Sequence, residues 1–424
     1  MSKLIRPFLL FLLVTLLWLS VYHAYGFANR PAHGDELAYI ARGVDLVEEG
    51  ITALADGYRP PLFPFIVALL ALLFDNKDLL INARLLNIIA MSLVPAIWFY
   101  AGSKAGEKKR ISYYSMSFFT ALWPPFYLYS FSAHAESLSF LFLNCLVYYL
   151  ATRNFNFFRI ENRIRTLTAI PLLLALLFYL KANNILISIP AALFLIFSPS
   201  TKSITARTSY VFIIALICFA LISPWLVFLK STTGQWNFTT TGGYNFLVGT
   251  GYYNFGMDAD GRSVHEQYMQ KLHGDYPRLP QDKTKELQNS NLSAAELDSL
   301  SKSIALQLWR DNTIQQIIFG QKKIFHSLGF SMRGMTDYVT AIFFISTCII
   351  SLLIIFSRID KSIVFLHWGF ALCGVLIAFF WLPNIRFKTF YFDTTAFLVI
   401  SHFFQAIISR RNFYWSNGTR LTSP

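Results

Sequence analysis

Two adjacent carboxylates, Asp35 and Glu36, lie in the run GDELAY at residues 34–39, directly after the first long apolar stretch. A carboxylate held near a membrane interface is partly desolvated and can act as a general base that accepts the proton of a hydroxyl group. A structural role fits the same residues, because Asp35 could cap the amphipathic helix predicted over residues 36–49. Taken alone these residues favour the cap, and the catalytic interpretation depends on the partners that the rest of the chain supplies.

Four cations at the borders of apolar segments could bind a phosphate group. Arg59 precedes a Pro-Pro pair, and Lys181 interrupts the apolar residues 172–197. Arg386 and Lys388 lie in the short run NIRFK near the C-terminus. The planar guanidinium of an arginine matches the oxygens of a phosphate. The alternative for each cation is a long side chain that extends to the membrane surface without binding an anion.

A third acidic residue, Glu136, lies with His134 at a turn between two apolar segments, after the sequence WPP at residues 123–125. Glu136 has no charged neighbour in the sequence, so we expect a partner from elsewhere in the fold, either Arg59 or Lys181. A single histidine such as His134 is more often a satisfied polar residue than a metal ligand. The sequence therefore predicts no cofactor and does not support a metal site here, although it leaves a divalent metal open as an alternative.

The composition places these residues in a membrane protein. The 424 residues are 55% hydrophobic and 17% aromatic, and only 14% are charged, against about 25% in soluble domains. This excludes a water-soluble enzyme, a disordered chain and a coiled coil. The four cysteines lie in apolar runs without CxxC spacing, which argues against a zinc site and against a disulfide framework.

Hydrophobic runs predict an all-α polytopic membrane protein with about ten transmembrane helices, since a spanning helix needs about 20 apolar residues. The first run follows Lys3 and Arg6 and could be a signal peptide, but the lack of a small-x-small cleavage site and the later spans favour an uncleaved anchor. The predicted spans lie near residues 7–25, 82–102, 111–131, 137–152, 166–181, 184–198, 209–229, 337–357, 362–382 and 389–408.

Loop charge predicts the orientation, because cytoplasmic loops of membrane proteins are rich in lysine and arginine. With the N-terminus in the cytoplasm, the basic loops 104–110, 153–165 and 358–361 all lie inside. The net charge of +13 thus has a membrane explanation and does not indicate nucleic-acid binding. The apolar residues 60–74 are too short for a full span and are predicted as a juxtamembrane or re-entrant helix on the outer side.

Three regions follow from this map. Residues 1–230 form an N-terminal transmembrane catalytic module with a first outer loop at 26–81, residues 231–336 form a long extracytoplasmic loop, and residues 337–424 form the C-terminal helices and a cytoplasmic tail. Within the long loop, residues 239–253 (TTTGGYNFLVGTGYY) are predicted to be irregular. Ser293 and Glu296 form a capping-box pattern that predicts the start of an amphipathic helix. The protein is expected in the plasma membrane.

An ordered series of motifs resembles the GT-C superfamily of polytopic glycosyltransferases. The series is closest to the bacterial branch related to dolichyl-phosphate-mannose–protein mannosyltransferases and to lipid A aminoarabinose transferase. It consists of GDELAY at 34–39, RPPLFPFIVALL at 59–70, RLLNIIA at 84–90, WPPFYLYSFSAHAES at 123–137 and NIRFKTFYFD at 384–393. No motif is specific by itself, but their order and spacing are.

The resemblance implies an inverting transferase that takes its sugar from a polyprenyl phosphate at the outer face of the membrane. The catalytic carboxylate of the family falls on Asp35, with Glu36 beside it. The cation of the Pro-Pro motif falls on Arg59, and the acidic residue after the third span falls on Glu136. The C-terminal basic pair falls on Arg386 and Lys388.

The sequence therefore predicts a glycosyltransferase in which Asp35 and Glu36 are catalytic and in which a set of cations binds the donor phosphate: Arg59, Lys181, Arg386 and Lys388. Tyr39, His134 and Glu136 are predicted to orient the substrate. The expected partners are a polyprenyl-phosphate-linked sugar, the bilayer, and an acceptor glycan, lipid or protein. The alternative is a transporter or flippase for a lipid-linked sugar, which would use the same cations without a general base.

Overall fold

The computed structural model of the chain describes residues 2–74, 78–152, 160–197, 203–250, 281–287, 291–328, 335–356, 362–380 and 388–418. Within these ranges the chain is helical and contains no β-strand. Its α-helices are α1 Ser2–Ala24, α2 Asp35–Glu49, α3 Leu62–Leu73, α4 Leu79–Lys104, α5 Glu107–Leu122, α6 Pro124–Ser130, α7 Glu136–Thr152, α8 Ile160–Leu180, α9 Ser188–Phe197, α10 Ile204–Thr233, α11 Gly242–Gly249, α12 Gln281–Leu287, α13 Ala294–Asp311, α14 Thr313–Ser327, α15 Met335–Ile355, α16 Ser362–Phe380 and α17 Thr394–Gly418.

Seven of the helical segments in the described residues are long and apolar enough to cross a membrane: Leu4–Ala24, Leu79–Lys104, Arg163–Leu180, Ile204–Thr233, Tyr338–Ile355, Ile363–Phe380 and Phe390–Ile408. Each coincides with a predicted span. The fold is thus an all-α polytopic membrane protein, as predicted, with seven full-length candidates where the sequence suggested ten.

The other three predicted spans form shorter helices for local reasons. The predicted span at 111–131 is divided, because α5 ends at Leu122 and α6 starts at Pro124, which lacks the N–H that would continue the hydrogen-bond ladder. The span predicted at 184–198 begins with the 3₁₀ segment Ala182–Ile187, after the extended backbone of Lys181 ends α8. The span predicted at 137–152 forms α7, which at 17 residues is shorter than the other spanning helices.

The two helices after α1 lie against each other at one end of the bundle. At 12 residues α3 is about 18 Å long, too short to span a bilayer, in agreement with the prediction for residues 60–74. The amphipathic α2 buries Tyr39, Gly43 and Leu46. Tyr39 packs edge-to-face on Phe63 of α3, with ring centroids 4.9 Å apart.

One prediction for the long loop is wrong, because residues 242–249 form α11. Its ends are stabilised by charged side chains from two other helices. At the N-terminus the carboxylate of Asp298 on α13 accepts hydrogen bonds from the N–H groups of Gly243 and Tyr244, at 2.7 and 3.1 Å. At the C-terminus Lys323 Nζ on α14 donates to the carbonyl of Gly249 at 2.6 Å. The predicted capping box at Ser293 and Glu296 is present and starts α13.

Candidate functional site

The centre of the site is an ion pair between the first residue of α2 and the residue before the Pro-Pro pair. Arg59 Nη2 donates to Asp35 Oδ1 at 2.5 Å. The Asp35 side chain is 33% exposed and the Arg59 side chain 17% exposed, so the pair is partly accessible. No side chain caps α2 at Gly34, so the sequence-based interpretation of Asp35 as an N-cap is not what the structure shows.

Two tyrosines hold the guanidinium group of Arg59 in place. The Arg59 Cζ atom lies 5.1 Å from the ring centroid of Tyr39 and 4.8 Å from that of Tyr58. Cation–π contacts of this kind fix the plane of the guanidinium. One of its donors, the buried Nε, has no hydrogen-bond partner among the described residues. A buried donor without a partner is costly.

Glu36, the neighbour of Asp35, has a different environment. Its side chain is fully buried, and its two oxygens accept hydrogen bonds from Arg84 Nε and Nη2, both at 2.9 Å. The backbone N–H of Ala133 donates to the same carboxylate at 2.7 Å, and His33 Nδ1 lies 2.7 Å from it. Burial by itself raises the pKa of this carboxyl, but the hydrogen bonds from Arg84, Ala133 and His33 outweigh it and lower the pKa of Glu36 to about 2.

Arg84 is a central residue of the site that the sequence analysis did not single out. Arg84 lies on α4, and its side chain is completely buried. Besides Glu36, its guanidinium donates to the carbonyls of Phe27, Arg30 and Pro31, at 3.2, 2.7 and 3.3 Å. One arginine thus fixes both Glu36 and the connection between α1 and α2. The signal that could have found it is a charge within the first turns of a predicted transmembrane helix, where a cation needs a partner.

The turn before α7 is fixed by polar side chains from the same region. Asn87, one helical turn after Arg84, donates to the carbonyls of Ser132 and His134 at 2.7 and 2.8 Å. Arg30 Nη2 donates to Ser132 Oγ at 2.9 Å. Together with the bond from Ala133 to Glu36, these contacts determine where α7 begins.

Glu136 is the first residue of α7 and forms the third ion pair of the site. Lys181 Nζ donates to Glu136 Oε1 at 2.8 Å, and both side chains are largely buried. Of the two partners that the sequence allowed for Glu136, the structure pairs it with Lys181. Ser139, Asn184 and Tyr391 lie around this pair, and the Tyr391 hydroxyl donates to Asn184 Oδ1 at 3.0 Å.

The Asp35–Arg59 and Glu136–Lys181 pairs lie at the same end of the bundle, above one buried apolar cluster. Tyr39 beneath Arg59, Ala135 beside Glu136 and Leu180 beside Lys181 are all members of this cluster. The structure thus brings together the predicted site residues Asp35, Glu36, Tyr39, Arg59, Glu136 and Lys181. His134 is also present in the turn, buried, with its ring centroid 6.4 Å from that of His33.

The C-terminal basic motif is described only in part. Arg386 lies outside the described residues, and only the backbone of Lys388 is described, at the start of a π-helix over Lys388–Asp393. This π-helix places Phe390 and Tyr391 beside Glu136 and Lys181. π-helical turns are rare and occur frequently at functional sites. The roles of Arg386 and Lys388 stay predictions.

Within the described part of the chain, no three His, Cys, Asp or Glu side chains are grouped closely enough to hold a metal ion. The described site contains three carboxylate–cation pairs, of which the Asp35–Arg59 pair is partly exposed and the Glu36–Arg84 pair is fully buried.

Comparison with known protein families gives a match to part of the chain. Residues 58–228 match the family model of dolichyl-phosphate-mannose-protein mannosyltransferase. The matched segment contains Arg59, Glu136 and Lys181, and Asp35 precedes it. The match confirms the resemblance to this branch of the GT-C superfamily and indicates a membrane glycosyltransferase of that type. No curated protein matches the chain.

Proposed function

We propose that the protein is an inverting glycosyltransferase that moves a sugar from a polyprenyl phosphate to an acceptor hydroxyl at the outer face of the plasma membrane. The observation that carries the proposal is the partly exposed ion pair of Asp35 and Arg59. The exposed part of the guanidinium is available to a phosphate oxygen, which would compete with the carboxylate that acts as base.

Inversion requires the acceptor hydroxyl to attack the anomeric carbon from the face opposite to the phosphate. Asp35 accepts the hydroxyl proton as the new glycosidic bond forms and the bond to the phosphate oxygen breaks. Arg59 stabilises the negative charge of the departing polyprenyl phosphate. Binding of the phosphate competes with Asp35 for Arg59, which frees the carboxylate to accept the proton.

The other predicted residues act around this centre. Glu36, which is fully buried and satisfied by four donor groups, positions Asp35 and the turn at Ala133 and does not touch the substrate. Lys181 extends the cationic surface from its pair with Glu136. Arg386 and Lys388 supply two further cations from the C-terminal motif. Tyr39 orients the substrate indirectly, through its contact with the guanidinium of Arg59, and His134 does so from the turn before α7.

The test is transfer by the detergent-purified protein with a polyprenyl-phosphate sugar as donor. Replacing Asp35 with Asn keeps the shape and removes the base, so we expect transfer to fall by about 10²-fold or more. Asp45→Asn is the matched control, because Asp45 lies on the same helix, is 40% exposed, and has Arg42 as its one ion-pair partner among the described residues.

Full transfer by Asp35→Asn would remove Asp35 as the base. Failure of the wild-type protein to form any glycosidic bond, with the labelled lipid crossing the bilayer instead, would favour the flippase. Retained thermal stability of Asp35→Asn shows that lost transfer reflects chemistry and not unfolding.

A further inference from the structure

The short segment before Arg59 is hydrogen-bonded to a distant part of the chain. Thr240, in the connection between α10 and α11, donates its hydroxyl to the carbonyl of Asp56 at 2.7 Å. The backbone N–H of Thr240 donates to the carbonyl of Gly57 at 3.0 Å. Thr240 is only 5% exposed, and a buried hydroxyl needs a hydrogen-bond partner. The two residues that Thr240 binds are the third and the second before Arg59, so they determine where the arginine begins.

The backbone at Gly57 is closely packed. Its φ is 65°, a value that residues with a side chain rarely adopt. A Cβ at this position would lie 2.6 Å from Leu229 on α10 and 3.2 Å from the methyl group of Thr240. The N–H of Gly57 donates to the carbonyl of Leu54 at 3.0 Å, so both backbone polar groups of Gly57 are used. The chain therefore has little room to shift two residues before the arginine.

The side chain of Asp56 attaches the same segment to α2. Its carboxylate accepts a hydrogen bond from the N–H of Tyr58 at 3.1 Å and forms an ion pair with Arg42 on α2. Arg42 also donates to the carbonyl of Ala53 at 2.7 Å. Tyr58 is one of the two rings against which the guanidinium of Arg59 packs. A displacement of this segment would therefore move the ring together with the guanidinium.

The connection that carries Thr240 is itself attached to the membrane helices. Trp225 of α10 donates its indole N–H to the carbonyl of Phe238 at 3.0 Å. The ring of Phe238 packs edge-to-face on Phe178 of α8, with ring centroids 5.5 Å apart. Two residues after Thr240 the chain enters α11, whose ends are held by α13 and α14. Thr240 thus links the long outer loop and the membrane bundle to the segment before Arg59.

We propose that Thr240 is a positioning residue for the transfer reaction, because its hydroxyl holds the segment at Asp56 and Gly57 where the guanidinium of Arg59 meets the donor phosphate. The inference rests on the proposed function and adds to it a residue of the long outer loop. Thr240 acts through Arg59 and does not touch the substrate. Small displacements matter here, since a misplacement of about 1 Å at a reacting centre can lower the rate about 100-fold.

The test is steady-state transfer by the detergent-purified full-length protein, with the polyprenyl-phosphate sugar and the acceptor varied in turn. Thr240→Val keeps the branched shape and the backbone N–H but removes the hydroxyl. We expect kcat/KM for the donor to fall about fivefold, because one hydrogen bond that places Arg59 is lost. The KM for the acceptor should not change. Thr240→Ser keeps the hydroxyl and should restore transfer to about the wild-type rate.

A double-mutant cycle separates positioning from a general structural role. In the Arg59→Gln background there is no guanidinium to place, so adding Thr240→Val should lower kcat/KM by less than about twofold more. A role in folding alone would give the same loss in both backgrounds. Thr239→Val is the matched control, because Thr239 is the preceding residue and its hydroxyl lies 3.2 Å from that of Thr241. We expect this control to transfer as the wild type does.

Unchanged donor kcat/KM in Thr240→Val would overturn the inference, and so would equal losses in the wild-type and Arg59→Gln backgrounds. In both cases transfer by the wild type and its loss in Asp35→Asn would leave the proposed function intact. Full transfer by Arg59→Gln would also overturn the inference, since the guanidinium would then not act on the donor. Absence of transfer by the wild-type protein would contradict the proposed function, and the inference with it.

Discussion

At the scale of single residues, two neighbouring carboxylates have opposite environments. Asp35 is partly exposed and pairs with Arg59, whereas Glu36 is fully buried and pairs with Arg84. The sequence predicted that both carboxylates are catalytic, but it could not predict which of them is buried. Successive residues of a helix point about 100° apart, and the orientation of α2 depends on the helices it packs against. Only the tertiary structure shows that Asp35 is partly exposed and that Glu36 is buried.

Replacement of Arg59 tests the phosphate contact. Arg59→Gln removes both the positive charge and the paired N–H donors of the guanidinium. We expect kcat/KM for the donor to fall about tenfold to 100-fold, since a hydrogen bond to a charged group contributes about 1.5–3 kcal/mol. Arg59→Lys keeps the charge without the bidentate geometry and should lie between that variant and the wild type. Steady-state transfer at varied donor concentration measures both. Equal loss in the two variants would show that charge contributes nothing here.

Replacement of Arg84 tests how much the buried pair of Glu36 and Arg84 contributes to stability. Arg84→Met leaves the buried carboxylate of Glu36 without its main partner, and breaking a buried pair in this way costs about 3–5 kcal/mol. We therefore expect a large drop in the thermal midpoint of the purified protein. The double variant Glu36→Gln/Arg84→Met removes the unpaired charge and should recover part of the loss. A midpoint for Arg84→Met equal to that of the wild type would contradict this account.

At the scale of helices, hydropathy predicted the membrane spans well and irregular segments poorly. The spans are determined by local apolar composition, and Trp123 with its two following prolines contains the signal that divides 111–131. The helix α11 was missed because its sequence, GGYNFLVG, is rich in glycine and has low helix propensity. It is stabilised by Asp298 and Lys323, which lie 55 and 74 residues further along the chain.

This explanation of α11 predicts a local effect of Lys323. Lys323→Met keeps the length and apolar stem of the buried side chain but leaves the carbonyl of Gly249 without its donor, which costs about 1–3 kcal/mol. We expect faster amide hydrogen exchange in residues 242–249, with transmembrane helices unaffected. Lys322→Met is the control, because the Lys322 side chain is exposed on the same helix. Equal exchange in both variants would mean that α11 does not depend on this contact.

At the scale of the whole molecule, the order of the helices explains why distant motifs meet. α4 packs against α1, α5 and α7, and α7 packs against α8. Antiparallel neighbours return the chain to the same end of the bundle at every second connection. The segment after α1, the turn before α7 and the end of α8 therefore lie together, and they carry Asp35, Glu136 and Lys181. Sequence order could predict this meeting, but not the pairing of each carboxylate with its cation.

The last prediction concerns which side of the membrane this end faces. In a background with alanine at all four cysteines (Cys145, Cys218, Cys348 and Cys373), single cysteines are placed at Glu49 and at Lys104, both exposed and at opposite ends of the proposed topology. We expect a membrane-impermeant maleimide to label Glu49→Cys in intact cells and Lys104→Cys only after permeabilisation, because basic loops stay in the cytoplasm.

The opposite labelling pattern would place the Asp35–Arg59 and Glu136–Lys181 pairs in the cytoplasm. A polyprenyl-phosphate donor would then have to be used on the inner leaflet, and the outer-face part of the proposal would be wrong, although the chemistry of Asp35 and Arg59 would not change. Sidedness and chemistry are thus separate claims. The labelling pattern tests the first, and transfer by Asp35→Asn tests the second.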